Sequence, residues 1–511
     1  MACRPRKLAR RQPAGDISGL YVVEQAWFEP RDDNAVILQY AMREHDSMRR
    51  KSSGFDNSMS PQEKRTAYSL AGIYMVRMLG LFMILPVFTL YGAELTGHTP
   101  LLIGLAIGIY GLSQAILQIP FGMLSDRIGR KPVIYIGLTI FIIGSAIAGL
   151  SHSIYGVILG RALQGAGAIS STVMALAADL TRDEHRTKIM GTIGISIGFA
   201  FSLGIVAGPL LNEWVGVDGI FWLTALLGIG AIAITAVLVP TPQRSHLHRD
   251  TEVVVGSFGE VLRNGELLRL DLGIFTMQFV LTANFVILPV VLTNMTNLAP
   301  NEQWGVYLPV MLIAFIIMLP FVIIAEKRRK MKSIFVSSIG ALVLCELMYL
   351  FSDHSLFEVI AVMLIFFVAF NTLEATLPSL VAKFSPPTRK GTAMGVYSTA
   401  QFLGIFLGGT LGGAFYQHWG VDGVFLLGAG VSAIWLLFAS SMRNPRYLAS
   451  YVLHLETVPE PHLVRTTETE LTRIPGVAEA QVVPDEGVAY LRVDRAALDE
   501  ERLRAFSLAG T

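Results

Sequence analysis

The stretch Gly122–Lys131, GMLSDRIGRK, carries four charged residues in ten, in a chain where only 15% of residues are charged. It stands between two runs that are almost wholly apolar, and those runs set the class of the protein. With 511 residues, 52% of them hydrophobic, and a mean hydropathy of +0.53, the chain is too apolar for an ordinary soluble protein. Its apolar residues gather into segments of about 18 to 25 residues, long enough to cross a bilayer as helices. Charge clusters such as Gly122–Lys131 are then the punctuation between spans.

Twelve spans are expected, at roughly 67–91, 102–124, 132–150, 153–178, 188–211, 218–239, 271–293, 304–325, 333–351, 356–381, 391–415 and 421–441. Between Thr66 and Met442 there are twenty lysines and arginines, and eighteen fall in alternate loops. By the positive-inside rule those loops, and with them both termini, are cytoplasmic. The two left over, Arg77 and Arg161, lie at membrane depth, where Glu346 and Glu374 are their acidic counterparts. A charge facing lipid costs at least about 2.5–3.5 kcal/mol, so these four should face an internal cavity or one another.

The two halves resemble each other. IPFGMLSDRIGRK from Ile119 aligns with LPFVIIAEKRRKM from Leu319, and ILPV occurs at Ile84–Val87 and again at Ile287–Val290. MGTIGISIGFAFSLGIVAG from Met190 aligns with MGVYSTAQFLGIFLGGTLG from Met394, matching Gly204 to Gly408 and Gly208 to Gly412. Two six-helix halves in the same orientation imply a pseudo-twofold axis along the membrane normal, with a substrate site between them. The boundaries read as 59–240 for the first half, 241–270 for a polar cytoplasmic linker, and 271–443 for the second half.

On these residues the chain resembles the major facilitator superfamily, in particular its twelve-span proton-driven drug exporters. GMLSDRIGRK is similar to the superfamily's loop signature G-x-L-a-D-r-x-G-r-k, with Ser125 at the usual alanine. RALQGAG, Arg161–Gly167, is similar to its fourth-span signature R-x-x-Q-G-x-G. The glycines of the fifth span before Gly208-Pro209 resemble its antiporter signature. The resemblance implies an all-α membrane fold, transport by alternating access, and a bacterial inner-membrane location.

It also assigns candidate sites. Gly122 lets two helices approach and Gly129 permits the tight turn after them. Asp126 can meet the positive end of the eleventh helix near Gly391, and the resemblance implies that Arg130 pairs with Asp179. With Arg127 and Lys131 these form a candidate latch between the halves; plain topogenic charge is the alternative. Arg161 and Gln164 share one helix face, as a proton or substrate contact or as a structural hydrogen-bond hub. Arg77, Gln114, Gln118, Asn284 and Asn371 are further cavity candidates. Glu374, one turn from Asn371, is either a proton-exchanging cavity group or half of a packing pair. Glu346 lies on a helix that is usually peripheral in this fold, which favours a structural role. Gly194, Gly198, Gly204, Gly208 and Pro209 are candidates for close helix packing.

Residues 449–511 read as a separate β-α-β-β-α unit, ferredoxin-like and without the Cys-x-x-Cys of metal carriers. Regulation or self-association through it stays open. Residues 1–58 show no sustained period and are expected to be a disordered extension, or not to be translated at all. MSPQEKR from Met59 has the form of an amino terminus, with Ser60, Pro61 and Glu63 placed to start a helix.

The expected partners are a small-molecule substrate, protons and the lipid bilayer. No cofactor, metal, catalytic residue or nucleic acid is expected: Cys3 and Cys345 are far apart, no phosphate-binding glycine loop occurs, and the net charge of +1 is not gathered into a basic patch. Proton-coupled export of small, largely apolar compounds is the leading functional reading. An uptake permease or proton symporter, and a non-transporting sensor that signals through the C-terminal unit, are the alternatives.

Overall fold

The computed structural model describes residues 59–241, 258–351, 355–385, 390–444, 449–455, 462–484, 487–494, 497–499, 502–503 and 506. The readings made for residues 1–58, and for most of the linker, lie outside them.

Helices dominate the chain as far as Ser440. They are α1 (Pro61–Phe82), α2 (Phe88–Gly92), α3 (Pro100–Ile128), α4 (Arg130–Leu150), α5 (Ile154–Ala166), α6 (Ser170–Asp179), α7 (Asp183–Val237), α8 (Phe258–Val261), α9 (Gly265–Asn294), α10 (Trp304–Lys327), α11 (Met331–Phe351), α12 (Leu356–Phe384) and α13 (Lys390–Ser440). In hydrocarbon every backbone group must bond internally, which a helix achieves within its own segment. Starts are set locally. Thr99 caps α3 ahead of Pro100, Asn264 caps α9, and Ser355 with Glu358 forms a capping box at α12.

Among the described residues, eight helices are long and apolar enough to cross a membrane. Burial separates them. In α9, 94% of the apolar window is buried, against 22% in the segment containing α10. An evenly apolar helix can face protein or lipid, and these two take the opposite choices.

Several expected spans have a different internal form. The first is broken: α1 stops at Phe82, and Met83–Val87 is a run of turns before α2. Pro86 lacks an N–H for a continuing helix, whereas the second ILPV leaves Pro289 inside unbroken α9. The fourth is two helices, α5 and α6, interrupted at 167–169, where Gly167 lies against the backbone of Gly137 on α4. The seventh starts earlier than expected, because α9 begins at Gly265, inside the expected linker.

In α7 and α13 the helix is interrupted at Gly216 and Gly420, both with φ of 68°. Left-handed backbone at those points suits glycine. Each break falls at the start of the same four residues, GVDG, which occur at Gly216–Gly219 and Gly420–Gly423.

The C-terminal unit contains β1 (Ala449–His454), α14 (Val464–Thr472), β2 (Val477–Val483) and β3 (Val488–Val493). The sheet order is β1-β3-β2, with β3 antiparallel to both neighbours. This is a split β-α-β unit, compatible with the small α+β domain expected there. Leu453, Leu471, Ile474, Val482, Ala489 and Leu491 are in its core. Of the expected second helix, 496–506, residues 496, 500–501 and 504–505 lie outside the described residues.

Candidate functional site

The loop motif forms a compact charged cluster on three helices. Gly129, with φ of 97°, turns the chain from α3 into α4. That turn brings Arg130 back over the end of α3. Arg130 Nε donates to Asp179 Oδ2 at 3.0 Å, and Nη1 donates to Ser125 Oγ at 2.8 Å and to Asp126. The side chains of Arg130 and Asp179 are 2% and 0% exposed, whereas that of Asp126 is 41% exposed. A Cβ on Gly122 would lie 3.1 Å from Ser171 Oγ, so α3 and α6 are close there.

Arg127 is exposed and Lys131 half-buried, and neither bonds into the cluster. The described residues give Asp126 no hydrogen bond to the start of α13. At this end the bonds to α13 come from Gln118, whose Nε2 donates to Thr399 Oγ1 at 2.6 Å and to the carbonyl of Gly395 at 3.3 Å.

Deeper in the first half, the two arginines approach one ring. The guanidinium carbons of Arg77 and Arg161 are 5.9 and 5.2 Å from the centroid of Tyr110, and each arginine is 1% exposed. Arg77 donates to Ser170 Oγ at 2.9 Å and to Gln114 Oε1; Gln114 Nε2 donates to the same hydroxyl at 3.1 Å. Arg161 donates to Gln164 Oε1 at 2.9 Å, and Gln164 Nε2 to Ser145 Oγ at 2.8 Å. Sequence reasoning missed Tyr110, Ser145 and Ser170. Their residue types carry no signal, and only the approach of α3, α4 and α6 reveals them.

The second half holds carboxyls. Gln278 Nε2 on α9 donates to Glu374 Oε2 on α12 at 3.3 Å. Asn371 is half-buried and makes no side-chain hydrogen bond among the described residues. Asn284 Nδ2 donates to Glu346 Oε1 at 2.6 Å, so a residue expected to line a cavity is bound to the fully buried Glu346. Glu346 lies on α11 yet points into the protein, beside Gly428 of α13.

The packing glycines divide. A Cβ on Gly204 would lie 2.7 Å from Phe82 Cβ, and one on Gly208 would lie 3.0 Å from Pro86 Cγ. Gly204 therefore touches the end of α1 and Gly208 the turns that follow it, both in their own half. The repeat shows the same contact in α13, where Gly408 and Gly412 meet Phe279 and Ala283 of α9. Gly194 and Gly198 correct the expectation: both are exposed, with nothing within 4 Å of a Cβ. At 100° per residue they share a face with each other, and that face is not the one carrying Gly204. Pro209 stays within α7. One contact of α7 with the other half is aromatic, Phe201 stacking on Phe370 at 5.3 Å.

The C-terminal unit touches α12. Arg492 of β3 is buried and donates to the carbonyls of Lys383 at 2.5 Å and Ala382 at 3.3 Å, and also to that of Ser385. These are the orphan carbonyls of a helix end. Burial pulls this guanidinium below its ordinary value, while Glu479 pushes it back up.

Paired helices with buried polar groups in both halves, flanked by the loop and fourth-span signatures, define a membrane carrier, and the comparisons give its family. The Major Facilitator Superfamily model matches residues 70–409 and 310–470, and the chain belongs to that superfamily. It is 46% identical over 442 residues to the inner membrane transport protein YajR of Escherichia coli K12, covering 86% of this chain and 96% of that protein. An uncharacterised transporter of Buchnera aphidicola is 36% identical over 76% of this chain and 99% of its own length. Among solved structures, a bacterial homologue of the lysosomal transporter Spinster, inward-facing and occupied, matches with a TM-score of 0.61. It does so at 15% identity, over 76% of this chain and 98% of that one. The human organic anion transporter TETRAN matches with a TM-score of 0.56 at 20% identity, over 74% of this chain and 100% of that one. These last two likenesses concern the fold. The chain is therefore a membrane transporter of small molecules.

Proposed function

We propose that the chain is a proton-coupled secondary transporter that exports small, largely apolar compounds across a bacterial inner membrane. It has twelve spans in two halves, 59–240 and 271–443, joined by the linker 241–270. The termini and the 449–511 domain are cytoplasmic. The broken α7 and α13 each supply two spans, and α5 with α6 supplies one.

The observation that carries the coupling is Glu374, held by the neutral amide of Gln278 rather than by a cation. No lysine or arginine occurs from Ser333 to Ala382. A carboxyl at membrane depth without a fixed counter-ion can take up a proton in one conformation and release it in the other. Arg161 with Gln164, Arg77, Gln114, Gln118, Asn284 and Asn371 supply the polar surface along the route. The Asp126–Arg130–Asp179 cluster acts as a conformational latch.

The full chain in proteoliposomes, with an internal pH dye and a panel of apolar compounds, tests this reading. Export should move protons inward as substrate moves outward, and Glu374→Gln should uncouple the two with little change in melting temperature. Co-transport in one direction would make the protein a symporter. Normal coupling in Glu374→Gln together with Arg161→Ala would reject both residues as coupling groups.

A further inference from the structure

We propose that Arg77 and Arg161 recognise an anionic head group, so that the carried compounds are carboxylate-bearing amphiphiles with an apolar body. This rests on the reading of the chain as a small-molecule carrier and narrows its substrate class.

A guanidinium stays charged in any protein environment. Burying one away from water is costly unless an anion or a full set of acceptors accompanies it. Here two such groups lie within 6 Å of the centre of a single tyrosine ring, at 5.9 and 5.2 Å. The ring attracts each, but they carry the same sign in a medium that screens poorly. Neither has a carboxylate partner among the described residues. All their acceptors are neutral: Ser170, Gln114, Gln164 and the carbonyls of Ala106 and Ile107 at 3.4 and 3.5 Å. Arg77 Nε is buried with no hydrogen-bond partner. In the other half, Glu346 and Glu374 accept from Asn284 and Gln278 rather than from either arginine.

The missing element is an anion. A carboxylate matches the planar fork of arginine and can displace the Ser170 hydroxyl or the Gln114 amide from it. These two side chains also bond to each other, so they keep a partner when the fork is taken.

A packed aromatic cluster farther along α1 is the surface offered to an apolar body. Phe82 follows Arg77 on α1, about 7.5 Å along the axis and about 140° around it. It packs edge-on against Phe201 at 5.0 Å, and Phe201 reaches Phe370 and Phe367 of α12 at 5.3 and 6.2 Å. The aromatic cluster spans both halves, so rocking them apart would open it.

The test compares three probes with one apolar body: phenylbutyrate, phenylbutanol and phenylbutylammonium. Thermal unfolding of the full chain in detergent is followed with each at millimolar concentration. Phenylbutyrate alone should raise the melting temperature. Arg77→Gln should weaken its apparent affinity about tenfold or more, with Arg77→Lys in between. Where Arg77→Gln fails to fold, Gln114→Glu serves. It supplies an internal carboxylate of nearly the same shape, so it should raise the melting temperature without ligand and abolish the phenylbutyrate response.

A phenylbutyrate shift no larger than that of phenylbutanol, or a Gln114→Glu variant that responds like the wild type, would overturn the proposal. In proteoliposomes the two readings fail separately. Proton-linked movement of the alcohol or the ammonium, with phenylbutyrate neither bound nor carried, sinks the anion site and leaves the carrier. Phenylbutyrate binding that depends on Arg77, without any proton-linked transport, keeps the site and sinks the coupling.

Discussion

The two halves of the helical region repeat a sequence pattern yet bury different ionisable groups at their centres. Deep in the first half, Arg77 and Arg161 are buried among amide, hydroxyl and carbonyl oxygens. The second has no lysine or arginine between Asp271 and Glu326, from Ser333 to Ala382, or from Gly391 to Met442, and it buries carboxyls. The same kind of side chain serves both. Gln114 and Gln164 turn their oxygens to arginine, while Gln278 and Asn284 turn their nitrogens to glutamate. A primary amide offers either pole, so one scaffold can solvate a cation in one copy and a carboxyl in the other.

The aligned loops diverge in the same way. In the first half Arg130 and Asp179 form a buried pair. In the second, Glu326, the counterpart of Asp126, takes Lys383 Nζ at 2.8 Å with side chains 44% and 16% exposed.

That contrast yields the largest expected effect. Arg130→Ala strands a buried carboxylate and should cost about 3–5 kcal/mol, seen as a sharp fall in thermal stability in detergent. Lys383→Ala should cost under about 1 kcal/mol, and comparable losses for the two would end the distinction between the loops. Next comes the glycine seam that both halves share. Leucine at Gly408 would drive a Cβ to 2.7 Å from Phe279 Cα, a backbone atom that cannot swing aside. Destabilisation of about 1–3 kcal/mol or more is expected, with reduced yield of folded protein.

A smaller effect probes the buried carboxyl. Asn284→Leu leaves Glu346 Oε1 without its donor, at about 1–3 kcal/mol. The double variant Asn284→Leu/Glu346→Met should recover most of that loss in the same melting assay. A double variant as unstable as the single one would mean that Glu346 is held by more than this amide. The smallest change is Gly198→Ala, expected within about 0.5 kcal/mol of wild type. A clear loss of transport at unchanged stability would place that open face in another conformation of the cycle.

Apolar run length and alternating basic loops made the helical, membrane-crossing class legible, because they report composition over many residues. Legible too was the turn at Gly129, since few residues besides glycine accept its backbone angles. The interruptions at 83–87 and 167–169 were not legible, because both stretches are as apolar as the spans around them. The repeated GVDG did mark the two left-handed breaks, and a search for short repeats would have found them.

Which face of a helix meets which neighbour was out of reach. Period alone groups Gly194 with Gly198 and Gly204 with Gly208, but it cannot say which pair is covered. For the same reason the inward direction of Glu346, on a helix expected to be peripheral, was out of reach. Its helix has one face turned inward, and Asn284, the signal for that, lies on a different helix.

Arg492 carries a consequence for the C-terminal unit. Three carbonyls at the end of α12 are satisfied by a side chain that belongs to a different domain. The position of that helix end and the integrity of the small sheet are therefore thermodynamically linked. Any tilt of α12 that withdraws those carbonyls leaves a guanidinium partly desolvated within the sheet, and anything that unfolds or displaces the sheet exposes the carbonyls. Such linkage is reciprocal for binding free energies. If the contact differs between conformations, a ligand that tightens the small domain shifts the balance of the helices, and a transported solute changes the domain's affinity for that ligand by the same factor.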